Sequence, residues 1–197
     1  MHIDRLDVYH VAMPLIYPWR TAYGEDADIH SVLIKATSGD YSAWSESSPL
    51  YAPMYLPESA GSVFYNVAEF MGQHVVGREY ETAKDLNDRL DIFKGNSFAK
   101  AAIEICWWTL QSSITNTPVH RLLGGETRNV QAGADFGIQD SIDMLMGNIQ
   151  KAVDSCFPRI KLKVRHGWDL EVLHAATSTF PKMTFHIDCN SGYTLDD

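Results

Sequence analysis

Arg159-Ile160-Lys161-Leu162-Lys163-Val164-Arg165 alternates charged and apolar residues at a period of two, the pattern of a β-strand. Ile160, Leu162 and Val164 share one face, and Lys161 and Lys163 share the other. A second run, Phe185-His186-Ile187-Asp188-Cys189-Asn190, has the same build, with Phe185, Ile187 and Cys189 on one face and His186, Asp188 and Asn190 on the other. One short amphipathic stretch lies between them. Strand, helix, strand is a parallel βαβ unit, whose apolar faces meet the covering helices. The ammonium groups and the carboxylate then face the opposite side, which in a closed (β/α) barrel is the interior. Unpaired charge there is costly, so Lys163 and Asp188 need partners, a metal or water. Both fall near the C-terminal ends of their strands, where barrel active sites sit.

Composition narrows the function classes. The 197 residues are 45% hydrophobic and 21% charged, as in a soluble globular protein, and enough to bury a core. A formal net charge of -9 and the lack of basic clusters argue against nucleic-acid or anionic-membrane partners. Cys106, Cys156 and Cys189 are widely spaced and form no CxxC pair, so they read as free thiols in a reducing compartment. No leader-like apolar run opens the chain and no stretch is long enough to span a bilayer; the expected location is the cytoplasm.

Along the chain, residues 2–13 predict a strand ending at Pro14, followed by an aromatic loop over 17–24 that is expected to touch ligand. Strands over 30–37 and 41–46 are joined by a turn at Ser38-Gly39-Asp40. Residues 50–57 form another loop. A helix opens at Pro57-Glu58 with Val63, Val67, Phe70 and Met71 on its buried face, and a second covers 81–93. A third starts near Ser97, carries Ala101, Ala102, Ile105, Trp108 and Leu110, and stops at Pro118. These elements predict an α+β domain over 1–128, a three-stranded antiparallel sheet with a helical bundle. From 129 the rhythm changes to strand 130–136, helix 141–156 capped by Ser141, the Lys-x-Lys strand, helix 169–180 and the Asp188 strand. That is the first part of a (β/α) TIM-type barrel, over 129–197. A complete barrel takes about 250 residues, so the barrel is expected to be incomplete in this chain and the chain to be a fragment.

Five stretches together resemble the enolase superfamily, in its muconate-lactonizing-enzyme-like branch: Pro18-x-Arg20-Thr21-x-x-Gly24, the helix from Ala99 to Trp108, Leu122-Leu123-Gly124-Gly125, Lys161-x-Lys163 and Asp188-x-Asn190-Ser191. The likeness spans nearly the whole chain, in the order capping domain then barrel, and is greatest to the o-succinylbenzoate synthase / N-succinylamino acid racemase group. It implies an enzyme that removes a proton alpha to a carboxylate with the help of Mg²⁺. Lys163 would be the general base, and Lys161 the neighbouring cation that favours a neutral amine beside it. Asp188 would be a Mg²⁺ ligand. Asn190 would be a secondary polar contact to a small carboxylate substrate, and Arg20 would close over the barrel mouth and help select it. Tyr51, on the loop over 50–57, reads either as lining the substrate cavity or as a surface aromatic.

The chain departs from the family pattern at several places. Asp135 stands where a small hydroxyl residue is common, bringing an extra negative charge toward an anionic substrate. Thr109 follows Trp108 where an Asp is usual, at the expense of a structural contact. The remaining metal ligands and an opposing lysine are expected beyond residue 197, which would leave this portion inactive alone. The full-length enzyme is expected to be a homo-oligomer. The expected reaction is dehydration to o-succinylbenzoate in menaquinone biosynthesis, racemisation of N-acylamino acids, or both. A dipeptide epimerase or another muconate-lactonizing-type enzyme is the alternative within the class. A truncated, non-catalytic interaction module is the alternative outside it. His186 is read as a packed interior residue, and Trp107 and Trp108 as core.

Overall fold

A computed structural model describes residues 1–197, which divide into two compact units, Met1–Pro14 with Asp28–Thr127 and Leu15–Ala27 with Arg128–Asp197. In the first unit, β1 (His2–Ile3) pairs antiparallel with β5 (Arg78–Glu79). A three-stranded sheet follows the order β2 (Arg5–Thr21), β3 (Gly24–Ser38), β4 (Tyr41–Ser47). β3 and β4 pair antiparallel from Val32↔Ser47 to Ser38↔Tyr41, and Gly39 turns the chain at a φ of 54°. Such a left-handed angle carries a steric cost for residues with a Cβ.

Helix α4 (Ser97–Thr115) covers one face of this sheet. Its buried side chains are Ala99, Ala102, Ile103, Cys106, Trp107 and Leu110, packed in one core with Val32, Ile34, Ala36 and Ala43. That spacing of three and one is the stripe of a helix with one face on a core. The face is rotated from the expected one, since Ala101 and Ile105 are exposed. The small residues are the reason, because Ala99 and Ala102 let the helix approach the sheet closely. The Ser45 hydroxyl donates to the Ala102 carbonyl at 2.7 Å. Thr109 donates from its hydroxyl to the carbonyl of Trp44 at 3.0 Å, a tie between helix and sheet at the position where the family pattern has an acid.

The start of α4 is held from a distance. Its cap residue Asn96 is left-handed and makes no side-chain cap. Instead the buried Glu58 carboxylate accepts from the backbone N–H groups of Phe98 and Ala99 at 2.9 and 3.2 Å. A carboxylate here satisfies orphan donors and meets the positive end of the helix dipole.

Other local readings shift for identifiable reasons. The helix expected from Pro57 begins at Ala60, as α1 (Ala60–Tyr65), because Ser59 and Ser62 close a reciprocal capping box. A π-helical turn (Asn66–Met71) and α2 (Gly72–Val75) continue it. The wider turn keeps Val63, Val67, Met71 and Val75 buried at a spacing of four, and Phe70 is left 45% exposed. Helix α3 (Ala83–Leu90) is capped by Thr82, and the short α5 (Val119–Leu122) follows Pro118.

The segment 17–24 is not an exposed loop. β2 runs through Pro14 and Pro18 to Thr21, and a two-residue turn at Ala22 and Tyr23 leads into β3. β2 lies at the edge of its sheet, where proline removes no needed donor. The tip of this hairpin, Leu15–Ala27, groups with the second unit although the sequence reading placed it within 1–128.

In the second unit, β6 (Ala134–Phe136), β7 (Arg159–Lys163) and β8 (Thr184–Asp188) form a parallel sheet in that order, connected by α6 (Ile142–Asp154) and α7 (Leu170–Thr179). This is the opening of a (β/α) barrel. Ile160 and Leu162 are buried with Leu145, Ile149 and Ala152 of α6 and with Val172 and Ala176 of α7. Ser141 caps α6 by accepting from the Met144 N–H. Only three residues of the expected 130–136 strand are paired. Ile187 is 50% exposed, not packed under a helix, because β8 is the last strand of the sheet.

Replacing Ile149, fully buried between α6 and β7, by Ala should cost about 2–5 kcal/mol. Urea unfolding followed by far-UV circular dichroism measures it, and a loss under 1 kcal/mol would mean that this core is not packed as described.

Candidate active site

The strand register brings the charged residues together. Asp135, Lys161 and His186 are neighbours across β6, β7 and β8, and Lys163 stands beside Asp188. With Ile160, Leu162 and Val164 buried on the helix side, both lysines emerge on the other side of the sheet. There they share one carboxylate. Oδ2 of Asp188 lies 2.8 Å from Lys163 Nζ and 2.9 Å from Lys161 Nζ. Oδ1 accepts from the Asn190 N–H at 2.9 Å. Asp135 Oδ2 approaches Lys161 Nζ to 3.4 Å, so the carboxylate expected to repel an anionic substrate is instead part of an ion pair.

Lys163 is 8% exposed, and a cation so buried needs this neutralisation. The Lys163 hydrogen bond, with further help from Lys161 and the Asn190 N–H, holds the Asp188 carboxyl far below the usual carboxylate range. The hydrogen bond to Asp188 in turn raises Lys161. In this state, then, the cluster is fully charged and self-satisfied.

The chain after β8 is tightly bent, with Asn190 and Ser191 both left-handed at φ 45° and 60°. Two such residues in a row mark backbone held by its surroundings. Tyr193 anchors the bend by donating to Asp169 Oδ2 at 2.6 Å while its ring stacks on His166 at 4.3 Å. Partial burial, followed by the Asp169 bond, pushes the Tyr193 hydroxyl up to about 12. The side-chain oxygen of Asn190 is buried without a partner, an acceptor left open beside the lysines' carboxylate.

The other expected site residues have partners of their own. Arg20 bonds Glu25 at 2.6 Å and also Asp140, so its guanidinium is occupied by two carboxylates. The Ile138 N–H donates to the Arg20 carbonyl at 3.0 Å, fixing the hairpin tip to the segment after β6. Tyr51 belongs to the first unit, its ring tilted at 46° against that of His30. His186 is exposed, not packed. A cavity of about 700 Å³, bordered by Trp19, Arg20, Asp135, Asp140 and Phe157, runs along the unpaired edge of β6 and includes neither lysine. Sequence reading missed Glu25, Asp140, Asp169 and Tyr193. The only signals were an acid near the arginine motif, one before the Ser141 cap, and a Tyr after Asp-x-Asn.

A metal finds one ligand here. Mg²⁺ takes six oxygens in an octahedral shell, and no group of three or more His, Cys, Asp or Glu side chains gathers to hold a metal. Asp188 is a suitable hard oxygen donor at the right end of a strand, but these residues do not by themselves make a magnesium site.

Residues 5–124 match the N-terminal domain of the mandelate racemase / muconate lactonizing enzyme family. The chain belongs to that family, in the muconate-lactonizing-like branch of the enolase superfamily, and is most like its o-succinylbenzoate synthase and N-succinylamino acid racemase members. It is 29% identical to an o-succinylbenzoate synthase from Geobacillus kaustophilus over 198 aligned residues, covering 100% of this chain and 53% of the relative. It is likewise 29% identical to an N-succinylamino acid racemase from Thermus thermophilus, covering 99% of this chain and 53% of the relative. The crystal structure of an enolase-superfamily member from Enterococcus faecalis superposes with a TM-score of 0.86 at 26% identity, covering 100% of this chain and 54% of that one. The chain thus spans about half the length of the curated relatives it matches.

The lowered pKa of Asp188 fixes a sign. Its pairing stabilises the fold fully above the unfolded carboxylate value, about 3.9, and that stabilisation is lost as pH falls through the lower folded value. Asp188→Asn should therefore cost about 1–3 kcal/mol at pH 7, and its deficit against the wild type should shrink below pH 4. Urea midpoints between pH 3 and 8 read this out, and a deficit independent of pH would contradict the pairing.

Proposed function

We propose that this chain forms the N-terminal part of an enolase-superfamily enzyme that abstracts a proton alpha to the carboxylate of a small acid. The observation that carries the reading is the pair of amines and one carboxylate at the C-terminal ends of β7 and β8. Lys163 is the base. In the state described it is an ammonium ion bonded to Asp188, so it must be released before it can accept a proton. Lys161 is the neighbouring cation on the same strand face, and its charge would favour the neutral form of the base. Asp188 would be the one ligand this chain contributes to a Mg²⁺, whose chemistry would be to stabilise negative charge developing on the substrate carboxylate.

Asn190 offers its open side-chain acceptor to a substrate N–H or O–H. Arg20, clamped by Glu25 and Asp140, positions the hairpin tip in place of binding substrate directly. Asp135 draws on Lys161 and thereby sets how that amine is shared. The substrate reading, dehydration to o-succinylbenzoate for menaquinone synthesis or racemisation of an N-acylamino acid, is supported by relatives named for both activities. Free thiols at Cys106, Cys156 and Cys189 suit the cytoplasm as its location.

The test is α-proton exchange in D₂O, followed by ¹H NMR on the full-length protein with Mg²⁺ and an N-succinylamino acid or the o-succinylbenzoate precursor. Lys163→Ala should lower exchange by about 10²–10⁴-fold. Undiminished exchange in that variant would remove Lys163 from the mechanism.

A further inference from the structure

The first unit carries a second cluster that the proposed chemistry does not use. His10 on β2 and His30 on β3 face each other across the hairpin, with His10 Nε2 3.2 Å from His30 Nδ1. Phe64 stands against the His10 ring at 6.2 Å between centroids, and Tyr51 against the His30 ring at 4.8 Å. The imidazoles themselves lie 5.4 Å apart at 56°. His10 is exposed and His30 half-buried, so the pair is open to solvent on one side.

We infer that His10 and His30 form a two-nitrogen chelating site for a borderline divalent transition cation of the Zn²⁺, Ni²⁺ or Cu²⁺ class. The spacing is the first argument. Two imidazole nitrogens bound at about 2.0–2.1 Å to a tetrahedral ion lie about 3.3–3.4 Å apart, and two cis ligands of a square-planar ion lie about 2.9 Å apart. The observed 3.2 Å falls between these. One ring donates and the other accepts, so the two nitrogens already face each other at close to a chelating distance. When a cation binds, the shared proton leaves this nitrogen pair by tautomerisation to the far nitrogen of the donor ring, and a small rotation of each ring turns the two lone pairs toward a common point.

Preorganisation is the second argument. The two rings project from adjacent strands and are flanked by aromatic rings, so little rotamer freedom remains to be lost on binding. No third His, Cys, Asp or Glu joins them, so the remaining positions fall to water or an outside ligand. Nitrogen donors also separate this site from Asp188, whose oxygen suits a hard ion. Binding would tie β2 to β3 within the first unit and leave the lysine cluster untouched.

The experiment uses the chelator-stripped protein titrated with Cu²⁺ under electron paramagnetic resonance and with Ni²⁺ in a calorimeter. The expected result is one strong site per chain with hyperfine structure from two nitrogens. His10→Ala, His30→Ala and the milder His30→Gln should each weaken it at least about tenfold, whereas His120→Ala should not. Circular dichroism establishes that the variants fold. Saturating Zn²⁺ should raise the urea midpoint of the wild type but not that of His10→Ala. Affinity unchanged in the folded His10 or His30 variants, or no strong site in the wild type, would overturn the inference.

Discussion

Everything at the candidate site depends on one carboxylate standing between two ammonium groups. Asp188 holds Lys163 at 2.8 Å and Lys161 at 2.9 Å, and without it a nearly buried cation would face another across the same strand. The arrangement follows from strand geometry. Because alternate residues point to opposite faces, burying Ile160 and Leu162 against α6 and α7 forces both lysines to the other side. A one-residue slip of β7 would send the amines into the helices and the aliphatic chains outward, so core and site are specified by the same pattern.

Much of this was legible in the residues themselves. The period of two in 159–165 and 185–190 is strong, and the strand–helix spacing places both runs in one parallel sheet. The Ser141 cap also follows from a local signal. What escaped the sequence depends on contacts distant along the chain. Glu58 caps a helix forty residues on, and Arg20 finds Asp140 rather than a ligand. Neither has a local pattern to betray it. The aromatic, proline-bearing stretch 17–24 reads as a loop because proline weakens strands in general, yet β2 is an edge strand and tolerates it. Ile187 has the alternation of a buried residue but lies on the last strand, where no helix covers it.

The charge state of the cluster bears on how a base could arise there. As described, Asp188 is strongly acidic and Lys161 is raised, so the group stores its proton firmly. The proposed proton abstraction would need a neutral amine, whereas the fold is stabilised by the paired, charged one, so under that proposal stability and activity would place opposite demands on this cluster. The hairpin tip, pinned through Arg20 and the Ile138 N–H, is held independently of the cluster.

A double-mutant cycle between Lys163→Met and Asp188→Asn, read by urea unfolding at pH 7, tests this account most directly. A coupling of about 1–3 kcal/mol between the two positions is what the shared carboxylate predicts. Strictly additive effects would mean that the amine and the acid do not meet, and the site would have to be sought elsewhere.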